Sequence, residues 1–376
     1  MRFLAWHDRS VVWRLLLAAT LCATLDCAAA DRRVDSVDFV DSVEAATRAL
    51  QAARGSADPQ VHERAGRQLA ALQAHAPEDP RVISLGGWMD MGRHDFAAAL
   101  ERAEGALARD PAQPIALALR VDALTELGRY DDAVSAAQTL ADRAAPLAAY
   151  PRIAHLRFLH GDLAGAIELA QQALALAPQG HPERAWLTGD LARLLVEHGQ
   201  AREAVELLQP LQPRTAQTHA WLAQALQAAG NREAATAHWR EARALLPLPE
   251  YGLALWKLAR ERHDERETVR LSRQLRAQAK LDAAQGGLAR RDFIEFHALD
   301  GRPEQAHALA LAELQRRPDI FSEAQLSWVL EKMNRPAEAA RYAERARRLG
   351  TQSRELAHWL AGLPATGVST QAGYQP

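Results

Sequence analysis

Histidine is the residue type that first invites a chemical reading of this chain. There are fourteen, and a neutral imidazole is a common ligand for zinc and copper. Spacing argues against most such readings. His155 and His160 are five residues apart, about 140° around a helix, so they do not share one face. His62-Glu63 opens a His-Glu-x-x-His motif, but Gly66 stands where the second histidine belongs. His297 and His307 flank a turn, as a scaffold allows. Each histidine therefore reads first as a partly exposed helix residue. Gly86-Gly87 and Gly286-Gly287 are expected at helix starts, with no Lys-Ser/Thr after them to make a phosphate loop. Gly55-Ser56 has Asp58 where a nucleophile elbow needs glycine. Asp131-Asp132 is expected in the first turn of a helix, where carboxylates suit the dipole. The expectation is no catalytic residue, no cofactor and no metal.

The elements that carry these residues repeat. After residue 78 the chain alternates a helix-sized apolar stretch, a turn, a small-residue helix and a break. The turns are anchored at Gly92, Gly128, Gly161, Gly199, Gly230, Gly301 and Asn334, with His263 where a further anchor falls. In the clearest unit, Leu147 to Pro178, Gly161 turns the chain and Ala166 and Ala170 follow on the second helix. Glycine there lets the first helix end in a left-handed residue. Alanine lets two helix backbones approach closely. Proline cannot continue the second helix and sets the angle to the next pair. Gly92 needs two extra residues in its turn before Phe96 and Ala99 fall into place, and His263 has Thr268 at the alanine position.

This spacing, clearest in Gly161-Ala166-Ala170-Pro178 and Gly301-Ala306-Ala310-Pro318, resembles the tetratricopeptide repeat (TPR), whose period is about 34 residues. The resemblance covers residues 78–351 and implies an all-α, TPR-type solenoid of about 8–9 antiparallel helix pairs forming a right-handed superhelix. Residues 31–77 read as an atypical N-terminal helix pair, 352–361 as a capping helix carrying Leu356 and Trp359, and 362–376 as a disordered tail. The resemblance also implies an inner surface where peptides dock. Counting from each turn places Phe158, Arg193, Gln224, Lys257, Arg260, Arg291, Glu295 and Trp328 on it, whereas Trp221, Trp239 and Trp256 fall at packing positions. This groove is acidic near Asp122 and Glu126, neutral in the middle and more basic toward Lys257 and Arg291. Its cations would meet a partner's carboxylates; changing Arg291 and Lys257 to glutamate is then expected to slow association. The ordinary alternative for any of these residues is a solvated helix face. The stretches Arg291-Asp292-Phe293, Arg317-Pro318-Asp319, Leu326–Leu330 and Arg348-Leu349-Gly350-Thr351 are similar to a group of exported bacterial TPR proteins.

Composition narrows the partners. The formal net charge is −2 with no basic stripe, which argues against nucleic acid, since phosphate binding needs clustered Lys and Arg. The first thirty residues read as a signal peptide: Arg2, Arg9 and Arg14 precede the apolar run Leu15–Leu25, and Ala28-Ala29-Ala30 offers a small-residue cleavage site. Cleavage after Ala30 would leave a mature chain without cysteine, because Cys22 and Cys27 lie upstream, and without a membrane span; the compartment is then periplasm or secreted. A retained anchor and a buried first helix are the alternatives. The functional expectation is a non-catalytic protein-binding adaptor of the bacterial envelope that holds a peptide or helix in its groove. Two other classes compete: a subunit of an envelope export or assembly complex docking by its convex side, and a histidine-based metal-handling protein or enzyme.

Overall fold

The computed structural model describes residues 36–54, 59–284 and 291–363. The expected signal peptide and residues 364–376 of the expected tail lie outside these residues, whereas Leu363, expected in the tail, is buried in the core. Among the described residues there are nineteen helices and no strand. They form nine antiparallel pairs: α1 (Ser36–Arg54) with α2 (Pro59–His75), α3 (Pro80–Gly92) with α4 (Phe96–Arg109), α5 (Pro114–Glu126) with α6 (Tyr130–Arg143), α7 (Pro146–Leu159) with α8 (Leu163–Leu176), and α9 (Arg184–Glu197) with α10 (Ala201–Leu208). The series continues with α11 (Ala216–Ala228) and α12 (Arg232–Leu245), α13 (Pro249–Glu261) and α14 (Glu265–Ala284), α15 (Arg291–Leu299) and α16 (Pro303–Arg316), and α17 (Ile320–Lys332) and α18 (Pro336–Ala346); α19 (Arg354–Trp359) follows.

The turn chemistry explains why the first helices stop where their turns are described. After α7, Gly161 takes φ +81°; its N–H donates to Phe158 O at 3.1 Å and the Asp162 N–H to Arg157 O at 2.9 Å. That pair of bonds satisfies carbonyls a helix end would leave open. Asp162 then caps α8, accepting from the Gly165 N–H at 2.9 Å. His263 and Asn334 hold the left-handed conformation without glycine, each with φ 57°.

One anchor moves. Gly92 is the last residue of α3, and His94 takes the left-handed conformation at φ 60°. The His94 N–H donates to Met91 O and the Asp95 N–H to Asp90 O, the same two bonds made around Gly161. With His94 as anchor the two surplus residues vanish, the interval to Gly128 is 34 (128 − 94), and Ala99 sits five places on. Gly86-Gly87 also departs from expectation. The pair lies in the middle of α3, where a Cβ on Gly87 would overlap the Leu119 side chain, so it marks close packing of α3 on α5.

Small residues set the pair spacing. Ala99, Ala133, Ala166, Ala204, Ala235, Ala306 and Ala339 are all 0% exposed. Leucine in place of Ala166 should overpack that contact and cost about 1–3 kcal/mol, read as a lower urea midpoint; an unchanged midpoint would remove the packing argument. Trp239 and Trp256 are buried, as their positions predict, while Trp221 is half-buried against Gly189. Leu356 and Trp359 of α19 are buried.

The C-terminal repeats fold back onto the turns of the earlier ones. Tyr130 Oη accepts from the Ile320 N–H at 3.0 Å, Thr351 Oγ1 donates to Phe158 O at 3.0 Å, and the Arg354 N–H donates to Glu197 at 2.8 Å. Arg317 ion-pairs with Glu126. At Gly128 and Gly161 backbone meets backbone: a Cβ on Gly128 would overlap Pro318 O, and one on Gly161 would lie 2.6 Å from Gly350 O. A single apolar cluster runs across this seam, including Leu124, Phe158 and Leu195 on one side and Phe321, Leu356 and Trp359 on the other.

Candidate functional site

First helices line the inside of the solenoid, and the returning C-terminal repeats cover most of it. Of the eight inner-surface residues named from the sequence, only Arg260 is exposed; Phe158, Arg193, Gln224, Lys257, Arg291, Glu295 and Trp328 are all buried. The expectation of an open row of cations therefore changes. Lys257 Nζ donates to Glu295 Oε1 at 2.6 Å. Arg193 donates to Asp190 at 3.1 Å and lies 4.9 Å above the Phe158 ring. Arg291 donates through Nη2 to both Asp319 oxygens, at 2.5 and 2.6 Å, and to Ser322 Oγ at 3.0 Å.

These pairs form an internal charge network. Burial opposes ionisation of Asp319, but Arg291 and Arg317 outweigh it, helped by hydrogen bonds from the Ser322 N–H and Arg291, and hold its carboxyl below the usual carboxylate range. Glu355 goes the other way. Burial pushes its carboxyl up to about 8, against the opposing charges of Arg291 and Lys257, with Glu295 and Glu197 reinforcing the rise. Burial also raises Glu197, despite its hydrogen bond from Arg354 and the nearby Arg193.

Part of this inner face stays open. A cavity of about 110 Å³ is lined by Lys257, Arg260, Glu261, Glu295, Leu299, Trp328, Lys332 and His358, bringing together four of the eight predicted residues. The Lys257–Glu295 pair is nearly neutral, and Glu261 is paired with Arg232 at 3.3 Å. Arg260 and Lys332 stand exposed at the rim. Arg260 lies 4.6 Å over the Trp256 ring and donates to Leu299 O at 3.2 Å, and Lys332 Nζ lies 4.7 Å over Trp328. Such an opening can hold an anionic group beside an aromatic wall. Phe158, Arg193, Gln224 and Arg291 are not among its lining residues.

Among the described residues no group of three or more metal-ligating side chains converges. A pair missed by sequence reasoning is His219 with His238, on α11 and α12, whose Nδ1 atoms are 2.9 Å apart. Burial first, then Arg214 and for His238 also His219, lower both imidazoles, with Glu241 opposing. Nineteen residues separate them, so the pairing became visible only once α11 was laid against α12.

A tetratricopeptide-repeat family model matches residues 157–226. No curated protein sequence matches the chain. Among solved structures, the chain is similar to one in the APC/C Cut9–Hcn1 hetero-tetramer, with 14% identity and a TM-score of 0.51 over 86% of this chain. It spans 62% of that chain's length. Human IFIT1, as a dimer with m7Gppp-AAAA, is 16% identical with a TM-score of 0.48, over 84% of this chain and 87% of its own. PilW, described as a type IV pilus biogenesis factor, is 19% identical with a TM-score of 0.44, over 53% of this chain and 92% of its own. At these identities the likeness concerns the fold. Among the described residues no helix is long and apolar enough to cross a membrane. With a two-helix unit repeated through nine pairs and a tetratricopeptide-repeat model matching residues 157–226 within them, the chain folds as an all-α, TPR-type solenoid.

Proposed function

We propose that the protein is a non-catalytic adaptor of the bacterial cell envelope, exported by residues 1–30, that holds a segment of a partner protein at the opening between α13, α15 and α17. The observation that carries this reading is the convergence of Lys257, Arg260, Glu295 and Trp328 on one cavity. Its rim cations, Arg260 and Lys332, suit a carboxylate or C-terminus, and Trp328 suits an apolar side chain next to it. Export rests on the order of charged, apolar and small residues at the N-terminus. The inner face buried under the C-terminal repeats is not part of the proposed contact.

The test uses the full-length gene product expressed in a Gram-negative host. The intact mass of the periplasmic protein should begin at Asp31. Proteins co-purified with it should be depleted when Arg260 and Lys332 are both changed to glutamate. Both side chains are exposed, so the melting temperature of the double variant should hold. A cytoplasmic protein retaining Met1 would remove the envelope from this reading; an undiminished partner set in the double variant would remove the opening.

A further inference from the structure

The second helix of the seventh pair does not fit the array. α4, α6, α8, α12 and α16 are each 14 residues long, whereas α14 has 20. It buries Leu271, Ser272 and Leu275, and Thr268 replaces the packing alanine. At 100° per residue, the opposite face gathers Arg266, Val269, Arg270, Arg273, Lys280 and Leu281 within an arc of about 120° and a length of about 22 Å. All six are exposed. No acidic residue falls in that arc, since Glu265, Glu267 and Asp282 point elsewhere around the helix. Val269 at 50% and Leu281 at 58% are the two most exposed large apolar side chains among the described residues. Among the described residues Arg266, Arg273 and Lys280 have no carboxylate partner; Arg270 is held by Glu267 at 2.6 Å.

An ordinary solvated face of this length would mix both signs and would not leave its apolar residues this open. We propose that this outer face of α14 is a docking surface for an acidic amphipathic helix of a protein partner, separate from the opening described above. Guanidinium groups one to two turns apart match carboxylates at helical spacing, and Val269 and Leu281 offer an apolar contact toward each end of the row. A bilayer fits less well because the face is one helix wide and the adjacent α12 exposes Glu233 and Glu241. A phosphate backbone would leave Val269 and Leu281 unmatched. The whole-chain charge of −2 conceals the stripe, so the expectation of none holds for the total and fails locally.

The probe is a synthetic helical peptide of about twenty residues, with glutamate at every third or fourth position and a leucine near each end, titrated into the full chain by calorimetry. Binding should weaken at least tenfold between about 50 and about 300 mM salt, because exposed charges are screened. The triple variant R266E/R273E/K280E should lose at least tenfold at low salt. Leu281→Ser should lose a few-fold while keeping the salt dependence. All four side chains are exposed, so an unchanged thermal melt is expected and serves as the folding control. The proposal is overturned by no binding, or by equal binding to the triple variant. It is equally overturned if phosphatidylglycerol vesicles or a short single-stranded DNA bind more tightly than the peptide with the same dependence on the three cations.

Discussion

Replacing Asp319 by alanine should destabilise the protein by about 4–6 kcal/mol, the largest single-residue effect expected here. Two contributions set that figure. Removing the carboxylate leaves Arg291, 8% exposed, without its counter-ion, while Arg317 keeps Glu126, and an uncompensated buried charge costs about 3–5 kcal/mol. Asp319 is also the N-cap of α17, accepting from the Ser322 N–H at 2.8 Å, and loss of such a cap costs about 1 kcal/mol. Asparagine separates the two, since it keeps the cap acceptor and loses the charge, so D319N should lie about 1 kcal/mol above D319A. Urea unfolding of the three proteins is the measurement. A D319A midpoint equal to that of the parent would show that the Arg291–Asp319–Arg317 cluster bears no part of the fold. The same geometry changes the meaning of the Arg291 and Lys257 charge reversal expected to slow association. Glutamate at those positions would face Asp319 and Glu295 inside the protein, so the double variant would report unfolding before binding.

Glu355 gives the second large effect, in the dependence of stability on pH. Its folded carboxyl titrates near 8 against an ordinary value of 4.5, so the folded state holds its proton where the unfolded state releases it. Below pH 4.5 both states are protonated and Glu355 carries no penalty. Between 4.5 and 8 the unfolded chain binds fewer protons, so stability falls as pH rises, and the loss levels off above 8. Glu197 and Glu323, both raised chiefly by burial, act in the same direction, while Asp319, held low, loses its contribution only in strong acid. Stability should therefore peak near pH 5 and fall by a few kcal/mol toward pH 8. Glu355→Gln should match the parent at pH 5 and exceed it at pH 8. Parallel curves for the two proteins would show that Glu355 is not the group responsible.

The local units were legible in the sequence because short-range stereochemistry writes them. A left-handed residue, a cap, a small residue five places on and a proline at the break all act within one turn of chain, and they place His263 and Asn334 as correctly as the glycines. Gly92 misled because glycine looks like a turn, while the hydrogen-bond pattern places the turn two residues later at His94. Gly86-Gly87 looked like punctuation and is instead a contact surface for Leu119. The inner surface was harder. Helical phase tells which residues point inward, and Lys257, Arg260, Glu295 and Trp328 do meet at one opening. Phase cannot tell that residues 317–363 return to cover the rest, since that depends on repeat angles summed over six pairs. The stretches that carry the more specific resemblance, around Arg291, Arg317-Pro318-Asp319 and Arg348–Thr351, are largely the ones that build this seam.

In an open solenoid each unit touches only its neighbours, so units can be gained or lost at little cost to the rest. Here Gly128 must meet Pro318 and Gly161 must meet Gly350, across about 190 residues of chain. Inserting or deleting one helix pair between them would rotate and displace one edge against the other and destroy both meetings at once. Closure thus turns a modular array into a counted one: the number of repeats becomes a fixed property of the molecule, and its two halves unfold as one cooperative body rather than fraying from an end.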